Sequence, residues 1–432
     1  MMQKNTKVTT QLFKLRIYLF ILSLCTLTIL QEGKPIEGAN FYSDLHPIDW
    51  WGSVTPILGK LLKSNLFAWK FFYFCVLFLL ILAFKSLLEN GYFQILNNKI
   101  YATLVLFLIC QFFLANGRDG LAFAFILIST SLLTNTKNGK HNYIRRFYFL
   151  SASFFLGLAI QLKTAYVITV LFYIILFGYK KNKILNKMSI SLFIISATFF
   201  SLLINFSSQN LAKIKPSYPE QQVMFYDLTS VYCWSPDNSA RAASKSALEP
   251  FLQRGKDSQN LCENLVSYGW DTLRIGNDRN NFSPPLKIVQ IDESAKFENL
   301  RKSWVNFIIK YPQNYIKTKL IFVGEIISMG NIFNRNSSWV EFQSPLSILN
   351  SLVKLPLLIL DKLYLFTILG FLLIIWFIKK FNMDLSIFIL VLLLNSTIVY
   401  VANNGRYLFG FLLLATLLTE NQKSISSINE KV

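Results

Sequence analysis

Charge is what this chain most conspicuously lacks. Of its 432 residues only 15% are Asp, Glu, Lys or Arg, against roughly 25% in a soluble globular protein. It has too few charged side chains to coat a water-facing surface of this length. Histidine is nearly missing: His46 and His141 stand alone, and no Cys/His spacing suits a metal. There is no glycine-rich phosphate loop and no other nucleotide-binding motif, which excludes ATP-driven transport. No internal repeat of the transporter kind is present either.

What the chain has is apolar bulk. Hydrophobic residues make up 53%, Phe alone accounts for 40 positions, and mean hydropathy is +0.41. A spanning helix needs about 20 mostly apolar residues. Runs of that kind occur at 15–31, 68–88, 100–116, 119–134, 147–162, 164–179, 188–206, 362–378, 385–402 and 406–419. The expected fold is therefore an all-α polytopic membrane protein of about ten transmembrane helices. The first run follows a basic stretch but precedes no small-residue cleavage site, so it reads as a retained anchor.

The net charge of +20 is not a nucleic-acid footprint, because the cations sit in short tracts between apolar runs. One alternate set of ends holds Lys4, Lys7, Lys14 and Arg16, then Lys137, Lys140, Arg145 and Arg146, then Lys180, Lys181, Lys183 and Lys187. Lys379, Lys380, Lys423 and Lys431 complete it. The opposite short turns hold one cation each. Positive ends stay cytoplasmic, so both termini are expected there, in a bacterial inner membrane. The expected domains are an N-terminal membrane region (1–206, with a first outer loop at 32–67), a mainly helical outer, periplasmic domain (207–360) and a C-terminal membrane region (361–432). Within the outer domain 239–253 and 291–311 read as helices, and 319–330, which carries Glu325, as a short helix at the membrane edge. Were it to span, Lys379 and Lys380 would face outward, against the charge rule.

Cys25, Cys75 and Cys110 fall in spans, whereas Cys233 and Cys262 share the outer loop. An even pair in an oxidising compartment suggests a disulfide; two separate thiols are the alternative. The first outer loop packs Asp44, His46, Asp49, Trp50 and Trp51 into eight residues. Either acid can act as a base or cap a turn. His46 is a substrate-contact candidate, as is Trp50, which also fits an interfacial belt. The outer turns carry Arg118 beside Asp119, Lys163, and Arg406 beside Tyr407. A lone cation on the translocated face opposes the orientation preference. Three of them suit an anionic headgroup, Arg as a fork and Lys as a point charge, or lipid phosphates at large. Cations to hold a phosphate and an acid to deprotonate an acceptor hydroxyl are the needs of a lipid-linked phosphosugar transfer.

Several phrases carry a family resemblance. Trp51-Gly-Ser-Val-Thr-Pro before the second span, Gly117-Arg118-Asp119-Gly opening the fourth, and Gly405-Arg406-Tyr407-Leu-Phe-Gly opening the last are similar to multi-spanning glycosyltransferases of the GT-C type. So are Phe225-Tyr226-Asp227-Leu228-Thr229 and the stretch from Trp304 through Tyr311-Pro312 to Tyr315. In size and Phe/Ile/Lys-rich composition the chain is similar to O-antigen-modifying, serotype-converting glucosyltransferases. The resemblance implies inverting transfer of a sugar, such as glucose, from a polyprenyl-phosphate carrier to a surface polysaccharide. It implies Asp44, or else Asp49, as base, with Arg118, Lys163 and Arg406 on the donor phosphate and Asp119 and Tyr407 in substrate contact. No cofactor is implied, and a divalent cation is left open. An O-antigen or capsule polymerase is the alternative, and a polysaccharide or lipid-linked sugar transporter a second.

Overall fold

The structure is a computed structural model. It describes residues 54–62, 65–90, 117–136, 141–162, 167–181, 187–210, 221–251 and 293–328, with scattered positions at 21–23, 26, 105–107, 109–110, 113–114, 262, 387–388, 391 and 414. Among the described residues every regular element is a helix and no strand occurs. Spans expected at 15–31, 100–116, 362–378, 385–402 and 406–419 fall wholly or largely outside them.

The first group of helices is α1 (Val54–Leu62), α2 (Leu66–Glu89), α3 (Gly117–Asn135), α4 (Asn142–Leu162), α5 (Val167–Ile175) and α6 (Lys187–Asn210). α5 runs on as a π-helix, Leu176–Lys181. Asn65 starts α2 by accepting the Ala68 N–H at 3.2 Å, and beyond Lys70 the helix is an uninterrupted apolar run over 71–84. Three helices are long and apolar enough to cross a membrane: Phe67–Glu89, Asn142–Leu162 and Met188–Asn210; Asp119–Asn135 and Val167–Gly178 are shorter apolar helices. Their outward faces carry no polar coat. On α6, Leu192, Ile195, Phe199, Leu202 and Phe206 recur at helical spacing and are all exposed. Such a surface belongs in lipid, not water.

Side-chain pairs set the relative directions. At the end of α2, Ser86 and Asn90 hydrogen-bond to Asn135 at the end of α3, at 3.2 and 3.1 Å. Near the start of α2, Tyr73 packs on Phe113, with ring centroids 5.5 Å apart. The two helices therefore run parallel. α4 is antiparallel to α3, with Ser129 Oγ donating to the Ala152 carbonyl at 2.7 Å. α4 and α6 run parallel again: Phe149 meets Phe193, Phe154 meets Phe200, and Gln161 Nε2 donates to Ser201 Oγ at 2.7 Å.

Small residues let α4 and α6 approach. A Cβ on Gly157 would lie 3.0 Å from the Ala197 carbonyl oxygen, 3.0 Å from Phe200 Cβ and 3.1 Å from the Ser201 nitrogen. Ser153 and Gly157 on one helix, Ala197 and Ser201 on the other, repeat the small-xxx-small spacing that draws membrane helices together.

The second group is α7 (Gln221–Trp234), α8 (Asn238–Leu248, then a 3₁₀ turn Glu249–Phe251), α9 (Ser294–Lys310) and α10 (Pro312–Ser328). α8 and α9 occupy the stretches expected at 239–253 and 291–311. α10 begins seven residues before the 319 anticipated from apolarity, because Pro312 both stops α9 and suits a helix's first turn. α7 was not anticipated. It is the centre of the group, packed by α8, α9 and α10, with Met224 through Ser230 buried without a break. Cys233 at its end is joined to Cys262 by a disulfide, Cα–Cα 5.2 Å.

Candidate functional site

Two places concentrate polar groups. The first is one end of the membrane bundle. Because Ser129 and Ala152 are level and α3 and α4 run oppositely, Asp119 at the start of α3 is level with Leu162 at the end of α4. The positions bearing Arg118 and leading into Lys163 thus belong to the same end of the bundle. Asp119 is buried, at 4% exposure. Gln161 and Ser201, hydrogen-bonded to each other and also buried, lie at this level. Thr169, in the first turn of α5, adds a buried hydroxyl for which no hydrogen-bond partner exists among the described residues.

The second is the interior of the four-helix group. Asp227 on α7 is 2% exposed and receives three side chains from two helices. Lys319 Nζ of α10 lies 2.5 Å from its Oδ1, and Trp304 Nε1 of α9 donates to its Oδ2 at 3.0 Å. The Tyr315 hydroxyl is its third donor. Lys319 also lies over the Tyr315 ring, 5.5 Å from the centroid. Burial pushes the Asp227 carboxyl above the usual carboxylate range, while Lys319, Trp304 and Tyr315 pull against that rise. Burial first, then the Asp227 charge, push the Tyr315 phenol up in turn. Asp237 caps α8 by accepting from Ser239 and Ala240 N–H and binds Asn314 of α10 at 3.0 Å. Hydrogen bonds from Ser239 hold its carboxyl below the usual range. Asp227 is enclosed, and its ion pair and hydrogen bonds tie α7 to α9 and α10. It is a strut that fixes α7, α9 and α10.

Asp44, His46, Asp49, Trp50, Lys163, Arg406 and Tyr407 lie outside the described residues; Arg118 and Asp119 open α3. Among the described residues no three His, Cys, Asp or Glu side chains gather as a metal would need. The ion-pair centre escaped sequence reasoning as a unit. Two of its phrases, around Asp227 and from Trp304 to Tyr315, stood out in the sequence, yet nothing there paired them with Lys319. The available signal was an acid inside Phe-Tyr-Asp-Leu-Thr and a Lys four residues after Tyr315, ahead of an apolar run. Compared with known proteins, the chain matches no family model, and neither a curated protein nor a solved structure matches it significantly.

Proposed function

We propose that this protein is a ten-span inner-membrane glycosyltransferase that moves a sugar from a polyprenyl-phosphate carrier to a surface polysaccharide on the outer side. The observation that carries the reading is the shared level of Asp119 and Leu162. It supports a reading in which Arg118, beside Asp119, and Lys163, which follows Leu162 in the sequence, act at one end of the bundle, where Asp119, Gln161 and Ser201 are buried. The parallel and antiparallel order of α2, α3, α4 and α6 supports alternating crossings. In this reading Arg118, Lys163 and Arg406 hold the donor phosphate as it leaves, and Asp44 takes the proton from the acceptor hydroxyl. Asp49 is the second candidate for that base. His46, Trp50, Asp119 and Tyr407 contact the sugars, and the four-helix group stands outside as the acceptor-facing domain.

The experiment is glycan modification in cells making Asp44→Asn, Asp49→Asn, Arg118→Ala, Lys163→Ala or Arg406→Ala at matched protein levels. Loss of a general base removes about 10² to 10⁴ in rate, so one Asp variant is expected to be silent and the cation variants strongly weakened. Full activity in all five would sink the proposal. Loss of chain extension rather than side-chain decoration would move the chemistry to a polymerase.

A further inference from the structure

The four-helix group contains a helix with its sides reversed. On α10 the inward face is polar: Thr318 and Lys319 are buried, with Asn314 and Tyr315 half-buried beside them. The outward side carries an apolar strip beside Lys317. Ile316 and Leu320 share one side by helical spacing with Ile321 beside Leu320 at its edge, and the three are 55%, 62% and 46% exposed. Val305 and Ile309 of α9 carry exposed apolar surface up to the α9–α10 elbow. In water each of these side chains forgoes burial of apolar surface, while Lys319 is taken out of the solvent that suits it. The same residue types face outward on α6, where length and apolarity point to lipid.

The charges beside the strip choose the occupant. Residues 305–321 contain Lys310, Lys317 and Lys319 and no Asp or Glu. Lys310 and Lys317 are exposed among the apolar side chains. Pairing with a second copy of this face would set those cations against one another across a two-fold axis. An anionic bilayer surface satisfies both features, with acyl chains for the isoleucines and lipid phosphates for the ammonium groups. A groove of about 290 Å³ opens at the strip's edge, lined by Trp234, Pro236, Lys317, Leu320 and Ile321. Trp at such a boundary is typical of a membrane interface.

We infer that the α9–α10 elbow is seated in the bilayer surface, with Ile316, Leu320 and Ile321 among acyl chains and Lys310 and Lys317 on anionic headgroups. The polar inner face of α10 then holds the group together through Lys319, and the lipid covers what that arrangement turns outward. The inference stands apart from the glycosyltransferase reading, since lipid contact and sugar transfer are measured separately.

The test uses the full chain reconstituted in vesicles of phosphatidylethanolamine and phosphatidylglycerol, with the photo-crosslinking residue p-benzoylphenylalanine placed at Ile316, Leu320 or, as control, Arg301. Irradiation is expected to add one phospholipid mass at positions 316 and 320 and none at 301. Phosphatidylglycerol should be captured about fivefold over its share of the bilayer, a preference lost in Lys310→Gln/Lys317→Gln. Crosslinked dimers at position 320, adducts within the chain, or no adduct there would overturn the seating. Equal capture of both lipids by the unsubstituted lysines would overturn the part assigned to them.

Discussion

Asp227 shows how one side chain can hold three helices in place. An ion pair at this depth is strong only in context: removing one partner leaves an uncompensated buried charge and costs about 3–5 kcal/mol, whereas replacing both by apolar residues is often close to neutral. Asp227→Asn and Lys319→Met are therefore each expected to lower the melting temperature of the purified chain sharply. Asp227→Leu/Lys319→Met should recover most of the loss. Additive losses in the double variant would mean that Lys319 and Asp227 act separately. Asp237 gives the opposite electrostatic case, an exposed cap whose folded pKa is depressed by the Ser239 hydrogen bonds. Its contribution is present above the unfolded carboxylate range, near 3.9, and is lost as pH falls through the lower folded value. Asn caps a helix about as well as Asp and does not titrate. Asp237→Asn should thus keep neutral-pH stability and remove this share of the acid-side loss, read from melts between pH 6 and the onset of acid unfolding. An unchanged acid slope would show that the cap does not contribute.

Helices in this protein associate by two unequal means, and α4 with α6 displays both. The Gln161–Ser201 hydrogen bond is of the kind that averages about 0.6 kcal/mol between membrane helices. The Gly157 contact is a matter of hard geometry, since an added Cβ meets two backbone atoms and Phe200 Cβ at 3.0–3.1 Å. Gly157→Ala gains about 1 kcal/mol of helix propensity but incurs overpacking of about 1–3 kcal/mol. The net expectation is a modest loss for Ala and a severe one for Gly157→Leu. Gln161→Leu should fall below Gly157→Leu in cost. Thermal aggregation of the three variants in detergent ranks them, and a Gln161→Leu loss larger than that of Gly157→Leu would reverse the account. The sequence could not have announced this contact. Gly157 sits in an ordinary apolar run, and only the parallel pairing of two helices separated by a third brings Ala197 and Ser201 against it.

The whole molecule was legible in the sequence where burial has a one-dimensional signature. Apolar length predicted the stretches of α2, α4 and α6, and the helix expected at 239–253 is α8 with its 3₁₀ turn. The centre of the four-helix group was not legible, because α7 is buried on all sides while carrying Asp227, Thr229 and Ser230. Its amphipathic pattern is erased, and its partners lie about 77 and 92 residues further along the chain. α10 misled in the other sense: its apolar residues face outward, so its true start at Pro312 was set by backbone restriction and not by hydropathy. The candidate site divides likewise. Single cations in short turns can be read from sequence, but the shared level of Asp119 and Leu162 needs the antiparallel packing of α3 on α4. Asp119 and Leu162 share an end opposite to Asn90 and Asn135, so orientation and the proposed site are tied together. Cation counts assign the Asn135 end, next to Lys137 and Lys140, to the cytoplasm. A reporter that is active only in the cytoplasm should accordingly signal when fused after Lys140, Lys183 or Val432 and stay silent after Asn260. Signal after Asn260 would place the four-helix group and its disulfide inside the cell, and with them would fall every assignment of phosphate-holding cations to the outer face.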